Sequence, residues 1–256
     1  MNKVAAPAHL KISRLTFGGH SAVILEAESY KGESFRVGID PWFRGNPSSP
    51  LHLKNPPKFD LIVLTHGHSD HAGECVQWAT RDNCMVAATY ELGAILIEEG
   101  ISDSKVILMN KGGTVQAPFA DHSTNISLTL THALHSSSYD TDNRGTVYAG
   151  EACGVVIRDG ESSIYHAGDT NLFSDMKLVG ELFSPDIALL PIGDRFTMGP
   201  KEAAIAANLI GAKVNIPLHY GTFPLLTGSA EEFEVECNQL KLEAKILKPG
   251  ETLPIK

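Results

Sequence analysis

The segment Thr65–Gly73, with the sequence THGHSDHAG, constrains the fold more than any other part of this 256-residue chain. It overlaps the end of Asp60–Thr65 (DLIVLT), an apolar run typical of a strand that is buried on both faces. Three imidazoles and a carboxylate are costly to desolvate without partners, so they cannot be ordinary core residues. We therefore interpret the segment as a turn at a strand end that aims several side chains at one point. Imidazole and carboxylate together suit zinc, manganese or iron, which predicts a metal site.

The remaining pattern alternates strands with helices. Strands are predicted at Lys11–Phe17, Ala22–Ala27, Phe35–Ile39, Asp60–Thr65, Met85–Ala88, Lys105–Met109, Ile126–Thr131, Thr146–Ala149, Gly154–Arg158, Ser163–Tyr165, Ile187–Pro191, Val214–Pro217 and Lys245–Leu247. Helices are predicted at Ala72–Ala79, Glu91–Glu99, Leu172–Leu182, Lys201–Ile210 and Ala230–Leu240. Strands followed by strand–helix units, twice over, favour an α/β fold with two packed sheets and helices outside. No linker or repeat interrupts the pattern, so residues 1–256 are predicted to form a single domain.

Composition and charge narrow the partners and the compartment. Lys and Arg total 21 against 30 Asp and Glu, a net charge of −9 that argues against a nucleic-acid partner. The four cysteines are scattered without a C-x-x-C pair, which favours free thiols in a reducing cytoplasm. No run approaches 18 apolar residues, and the N-terminal segment lacks the apolar stretch of a signal peptide. We expect a cytoplasmic protein that acts on a small molecule, binds no membrane, and is free to form a homo-oligomer.

Further histidines stand at or near predicted strand ends. His132 and His135 both occur where Ile126–Thr131 ends, and His219 follows Val214–Pro217 closely. His166 lies three residues before Asp169, a spacing that turns it to the other face of an extended segment. On the residues alone, His132 and His135 are both candidates for one ligand position.

The motif H-x-H-x-D-H after a strand, followed by these strand ends in this order, resembles the signature of the metallo-β-lactamase superfamily. The resemblance extends over about residues 10 to 249. Finer matches are GGHS at 18–21, DPWF at 40–43, HAGDT at 166–170, TMGP at 197–200 and HYGTFP at 219–224. They resemble a branch of metal-dependent hydrolases of mostly unassigned substrate, related more distantly to the ascorbate-6-phosphate lactonases. The resemblance implies a four-layer αββα sandwich, with two mixed sheets and helices outside.

Carried onto this chain, the family pattern implies two divalent metal ions, with Zn²⁺ favoured and Mn²⁺ or Fe²⁺ as alternatives. The implied ligands are His66, His68 and His135 for the first ion, Asp70, His71 and His219 for the second, and Asp169 as the bridge. His135 is preferred over His132 because the family ligand precedes a Ser/Thr-rich turn, here Ser136–Ser138. Two cations roughly 3.5–4 Å apart can share a hydroxide and stabilise both the attacking and the leaving oxygen.

Residues outside the ligand set also carry predictions. The resemblance implies that Asp40 orients a ligand histidine, and this interpretation is favoured over a turn residue before Pro41. His20 is a candidate proton shuttle or substrate contact, or a turn histidine that bonds the backbone. Tyr220 and Thr222 could offer hydroxyls near the site, or only brace their loop. His132 and His166 are predicted to support the site from behind the ligands.

The function implied is hydrolysis of an ester, lactone, amide or phosphodiester by a metal-bridged hydroxide. Asp70, with His20 or Tyr220, would serve the catalytic step. One alternative is an RNA nuclease or phosphodiesterase, which the acidic charge disfavours. A second is a mononuclear iron oxidoreductase, and a third is a metal-binding module without turnover. Histidine at position 68 favours zinc-type hydrolysis over diiron chemistry, although mononuclear iron dioxygenases keep this histidine.

Overall fold

The computed structural model describes residues 9–119 and 122–255. Its strands are β1 (Leu10–Gly19), β2 (Ala22–Ser29), β3 (Ser34–Ile39), β4 (Leu61–Val63), β5 (Met85–Thr89), β6 (Val106–Met109), β7 (Thr114–Phe119), β8 (His122–His132), β9 (Ser138–Thr141), β10 (Gly145–Tyr148), β11 (Cys153–Arg158), β12 (Ser163–His166), β13 (Ile187–Pro191), β14 (Val214–Leu218) and β15 (Thr252–Pro254). The helices are α1 (Ser69–Ala72), α2 (Cys75–Asp82), α3 (Tyr90–Glu98), α4 (Met176–Phe183), α5 (Pro200–Ile210) and α6 (Ala230–Gln239). Both ends of the predicted domain 1–256 lie outside the described residues.

Two mixed sheets form the centre of the fold. The first has the order β15-β1-β2-β3-β4-β5-β6, antiparallel from β15 to β3 and parallel from β3 to β6. The second has the order β14-β13-β12-β11-β8-β7, with β12, β13 and β14 parallel and the others antiparallel. A separate hairpin consists of β9 and β10.

Three apolar clusters separate four layers. The largest lies between the sheets, where alternate residues such as Leu128, Leu130 and Val155 point inward. A second cluster joins the first sheet to α2 and α3, and a third joins the second sheet to α4, α5 and α6. The predicted four-layer αββα sandwich is therefore confirmed. No helix in the described ranges is long and apolar enough to span a bilayer.

The structure differs from the predicted elements in five places. β7 was not predicted, because Pro118 interrupts its strand pattern beside a register shift. The short β9 and β15 were also not predicted, and the strand predicted at Lys245–Leu247 is wrong. Only an isolated bridge between Asn215 and Ala244 forms near it. The predicted helix at Ala72–Ala79 is two helices, α1 and α2.

The register places four strand ends at one edge of the sandwich. At the start of β11, Cys153 pairs with His132 at the end of β8, while Val155 pairs with His166 at the end of β12. The backbone N–H of Cys153 also donates to the carbonyl of Thr65, 2.9 Å away, which joins this edge to the end of β4. The segments that follow β4, β8, β12 and β14 therefore meet at this edge.

Candidate metal centre

The segment after β4 turns sharply into the one-turn helix α1. The N–H groups of His71 and Ala72 donate to the carbonyl of His68 at 3.0 and 2.8 Å. Gly67 is required here, because a Cβ at this position would lie 2.7 Å from the backbone oxygen of Ser138. The turn places His66 and His68 before the helix and Asp70 and His71 on it.

Asp40 organises two of these histidines through one carboxylate oxygen. Its Oδ2 accepts from Thr65 Oγ1 at 2.6 Å and lies 2.8 Å from His71 Nδ1, while Oδ1 accepts from the Thr65 N–H at 2.8 Å. Since the hydroxyl group of Thr65 donates its hydrogen bond to Asp40, Thr65 Oγ1 can accept a hydrogen bond from His66 Nδ1, 3.0 Å away. Both imidazoles therefore carry a proton on Nδ1, which leaves Nε2 of each ring as the nitrogen directed at the cluster and available to a metal ion.

Asp169 is the point on which the histidines converge. Its Oδ2 lies 3.0 Å from His219 Nε2, 3.4 Å from His71 Nε2, 3.7 Å from His135 Nε2 and 4.0 Å from His66 Nε2. Two ligand atoms that bind one zinc ion at about 2.1 Å with a tetrahedral angle lie about 3.4 Å apart. The spacings on the side of the second implied ion, 3.0 and 3.4 Å, lie at or just below this value, and those on the side of the first, 3.7 and 4.0 Å, lie slightly above it.

The ligand atoms form two groups, each within a span of 4.8 Å. One consists of His66, His68 and His135, and the other of Asp70, His71 and His219 together with His20. In the first group His66 Nε2 lies 3.0 Å from His68 Nδ1. The structure thus brings together all seven residues of the implied ligand set. Of the two candidates at the end of β8, it is His135 that lies beside Asp169.

The donor set fits divalent cations, because buried atoms here lack hydrogen-bond partners within the described chain. His71 Nε2 and Asp169 Oδ1 are both buried without one. His71 Nε2 lies 3.4 Å from the Asp169 carboxylate. A second proton on His71, which its raised pKa favours, or a bound cation in place of that proton would balance the charge of this carboxylate. Imidazole nitrogen and carboxylate oxygen are the donors that zinc accepts in hydrolytic sites.

The charges within the cluster are strongly coupled. Burial opposes charge on His71, but the carboxylates of Asp169 and Asp40 raise its pKa well above the ordinary value. Burial also opposes charge on Asp169, but His219 and His71 lower its pKa well below the ordinary value. Burial lowers the pKa of His66 and of His135, which keeps both imidazoles neutral as ligands must be.

His20 lies behind Asp70 and does not line the cavity. Its Nε2 lies 3.1 Å from Asp70 Oδ2, and its Nδ1 lies 3.0 Å from the hydroxyl of Thr222. Burial lowers the pKa of His20 to about 4, so the ring is neutral near pH 7. Trp42 and Phe223 pack edge-on against it at 5.4 and 5.5 Å. Both nitrogens are thus occupied and His20 is absent from the cavity lining, and its role as a proton shuttle or substrate contact stays a prediction.

Thr222 and Tyr220 are placed differently from each other. Thr222 contacts His20 and also Ser48, whose hydroxyl lies 3.1 Å away, so it supports the imidazole. Tyr220 packs against the cluster beneath α4, α5 and α6 and is absent from the cavity lining. Burial raises the pKa of Tyr220, and the nearby Glu231 adds to this effect. The structure therefore places the side chain of Tyr220 toward the helix layer and outside the cavity lining, and its catalytic role stays a prediction.

Two further histidines were predicted to support the site. His166 is buried, with Nε2 3.0 Å from the carbonyl of Ser21 and Nδ1 accepting from the N–H of Gly168, so it braces the turn that carries His20. His132 is exposed at the end of β8, where it contacts Lys111 at 3.3 Å and packs edge-on against Phe173. His132 is thus exposed and absent from the cavity lining, and its supporting role stays a prediction.

The backbone is strained at the site. His20, Asp40 and His219 have φ values of 55°, 44° and 56°, in the left-handed region that residues with a Cβ seldom occupy. Such strain persists only where the surroundings determine it, and it is concentrated at functional sites. Here each of the three residues stands at the end of a strand and turns its side chain toward the cluster.

A cavity of about 340 Å³ opens over the ligand cluster. It is lined by His68, Ser69, Asp70, His135, Ser136, Ser138, Asp140, Asp169, Phe196, His219 and Phe223. Sequence reasoning did not identify Thr65, Asp140 or Phe196. For Thr65, its place directly before His66 was the available signal, whereas Asp140 and Phe196 lie on segments with no recognisable motif.

Comparisons with known proteins agree with this arrangement. A family model described as a beta-lactamase superfamily domain matches residues 35–220. The chain is 46% identical over 240 residues to a UPF0173 metal-dependent hydrolase of Koribacter versatilis, covering 93% of this chain and 97% of that protein. It is 42% identical over 244 residues to another, of Rubrobacter xylanophilus, covering 94% and 96%.

Solved structures show the same likeness. Igni18, a metallo hydrolase from the hyperthermophilic archaeon Ignicoccus hospitalis, is similar with a TM-score of 0.81 and 33% identity, over 96% of this chain and 99% of that chain. An isothiocyanate hydrolase from Delia radicum gut bacteria shares the fold, with a TM-score of 0.66 and 22% identity over 94% of this chain and 98% of that chain.

Proposed function

The chain belongs to the metallo-β-lactamase superfamily as a metal-dependent hydrolase, and we propose that it cleaves a small molecule at a two-metal centre bridged by Asp169. The observation that carries this proposal is the convergence of four imidazole nitrogens on Asp169 Oδ2 at 3.0 to 4.0 Å. Nitrogens from both ligand groups take part. A single carboxylate oxygen between two sets of nitrogens is the arrangement that a bridging ligand requires.

The ligand assignment follows the two groups. His66 Nε2, His68 Nδ1 and His135 Nε2 would hold one ion, and Asp70, His71 Nε2 and His219 Nε2 the other. Zn²⁺ is the proposed metal, because nitrogen-rich sets with carboxylates suit it, with Mn²⁺ or Fe²⁺ as alternatives. Bound there, the two ions would supply Lewis acidity and a water acidic enough to attack a carbonyl or phosphoryl centre near neutral pH.

The chain's own residues prepare this chemistry. Burial opposes charge on Asp70, but its contacts with His20 and His71 lower its pKa, so the carboxylate is ionised. Asp70 also lines the cavity, where it can accept a hydrogen bond from an attacking water. His20 holds Asp70 in place as a neutral donor from Nε2, while Thr222 can donate to its Nδ1. The bond to be cleaved is that of an ester, lactone, amide or phosphodiester.

A small-molecule substrate in the cytoplasm completes the proposal. The cavity of about 340 Å³ suits a small ligand, and the chain carries a net charge of −9, which disfavours RNA. The four cysteines are buried free thiols, as a reducing compartment favours. Salt-dependent RNA binding is the measurement that would favour a nuclease instead.

The test combines metal content with turnover. Purified protein should bind two equivalents of divalent metal by elemental analysis, and it should hydrolyse members of a panel of esters, lactones, amides and phosphodiesters. His66→Ala should lose metal from the site and at least about a thousandfold in kcat/KM. His9→Ala changes an exposed histidine and should leave both unchanged. Full metal occupancy without hydrolysis of any panel member would overturn the proposed function.

A further inference from the structure

The two walls of the cavity differ in chemistry. One wall is the β9–β10 hairpin, where Tyr139 and Val147 pack into the core behind it. Because strand side chains alternate, Ser138 and Asp140 face the opposite way, into the cavity. Asp140 also acts electrostatically on His68, which places its charge close to the ligands.

The other wall is aromatic. Phe223 is half-buried and held against Trp42 and the ring of His20. Phe196 stands at the tip of a tight turn and is 50% exposed. The base of this turn is fixed, because the N–H of Met198 donates to the carbonyl of Thr170 at 3.0 Å, directly after Asp169. Exposed aromatic rings at a cavity mouth offer an apolar contact to a ligand.

The charged side chains of the cavity lining also favour a ligand without negative charge. Among the described residues that line the cavity, none is a lysine or an arginine. The nearby guanidinium of Arg195 lies outside this lining and is directed at the ring of Phe196, 5.6 Å from its centroid. Sites that recognise a phosphate or carboxylate substituent usually hold it with these side chains. Asp70 and Asp169 belong to the proposed ligand set, so Asp140 is the one carboxylate of the described lining that lies outside this set and faces the substrate.

We propose that the substrate carries, outside the bond that is cleaved, a planar apolar group that packs between Phe196 and Phe223 and no negative charge. This inference rests on the proposed function for the reacting bond. Asp140 excludes anionic substituents by repulsion and tolerates neutral or cationic ones. Discrimination by an unfavourable contact is a common source of specificity.

A matched set of para-substituted acetophenones tests this selection by binding alone, since a ketone has no leaving group. The metal-loaded protein should bind the trimethylammonio and methyl compounds at least tenfold more tightly than the carboxylate. Asp140→Asn should reduce this discrimination at least fivefold. Asp142→Asn removes the same charge from the same hairpin, outside the cavity lining, and should leave the discrimination unchanged. Phe196→Ala should weaken the binding of the methyl compound at least fivefold. Leu182→Ala, which removes an exposed side chain of α4, should leave this binding unchanged.

The corresponding para-substituted phenyl acetates separate this inference from the proposed function. Ratios of kcat/KM between variant and wild type cancel the different intrinsic reactivities of the esters. Two results would overturn the proposed substrate class without affecting the proposed hydrolase activity. One is hydrolysis that does not depend on the charge of the para substituent, and the other is an equal effect of the Asp140 and Asp142 substitutions. Ketone binding in the expected order with no hydrolysis of any acetate supports the substrate class and counts against the proposed function. Carboxylate binding as tight as methyl binding overturns the substrate class directly.

Discussion

Asp40 Oδ2 lies 2.8 Å from His71 Nδ1. The same oxygen accepts a hydrogen bond from the hydroxyl group of Thr65, 2.6 Å away. Through Thr65 this oxygen also determines which nitrogen of His66 carries the proton. One buried carboxylate therefore prepares a histidine in each of the two ligand groups.

Asp40→Asn should weaken metal binding by about 10- to 100-fold, the usual effect of losing a partner of a ligating histidine. An amide nitrogen in place of Oδ2 would donate toward His71 Nδ1 and force the wrong tautomer. Asparagine tolerates the left-handed backbone at this position, so the fold should survive. Competition with a chelator measures the affinity, with Asp142→Asn as the control. Unchanged affinity would show that Asp40 serves only the turn.

Thr65→Val should weaken metal binding by about tenfold, which is less than the effect of Asp40→Asn. The variant removes the acceptor for His66 Nδ1 but keeps the hydrogen bond between His71 Nδ1 and Asp40. The volumes of the two side chains are nearly equal, so a cavity should not form. Thr65→Ser should restore the affinity of the wild type. An equal loss in the valine and serine variants would mean that the methyl group, not the hydroxyl, matters.

His20 should make the metal-free protein sensitive to acid. Burial lowers its pKa from 6.5 to about 4, so the unfolded chain binds this proton first. Stability should therefore fall as the pH drops from 6.5 toward 4, by about 3 kcal/mol for this group alone. His20→Gln removes the titration and keeps polar atoms for Asp70 and Thr222. Denaturant unfolding of chelated protein at pH 7 and 4.5 should show a smaller decrease for the variant, and equal decreases would contradict the assignment.

Tyr220→Phe should change kcat and KM by less than about twofold, because the ring packs under the helices and its hydroxyl does not reach the cavity. Steady-state kinetics on any substrate of the wild type provides the test. A large fall in kcat with unchanged metal content would place the hydroxyl in the reaction, contrary to the structure.

The ligand cluster could be predicted from the sequence because its residues are tied to strand ends. His66, His71, Asp169 and His219 each follow a buried strand closely, and parallel strands bring their carboxyl ends to one edge. The direction of a side chain beyond the strand end carries no such regularity. Tyr220 illustrates this, since it directly follows a predicted ligand and its side chain nevertheless packs against the helix layer.

The cavity walls depend on contacts between segments far apart in the chain. Asp140 faces the site because its neighbour Tyr139 packs into the core on the other side of the strand. Phe196 faces the site because a backbone hydrogen bond to Thr170 holds its turn in place. Neither contact follows from a local pattern. Short strands such as β9 and β15 were missed for the same reason, because their pairing partners decide them.

The proposed ligands come from both sheets, with His66, His68 and His71 following β4 of the first, and His135, Asp169 and His219 following strands of the second. A cation held between them would act as a cross-link between the two halves of the chain. Cross-links that close long loops restrict the unfolded ensemble most. The metal ions that would activate water would then also stabilise the packing of the two sheets at this edge. Loss of metal would therefore lower the stability of the fold as well as stop turnover.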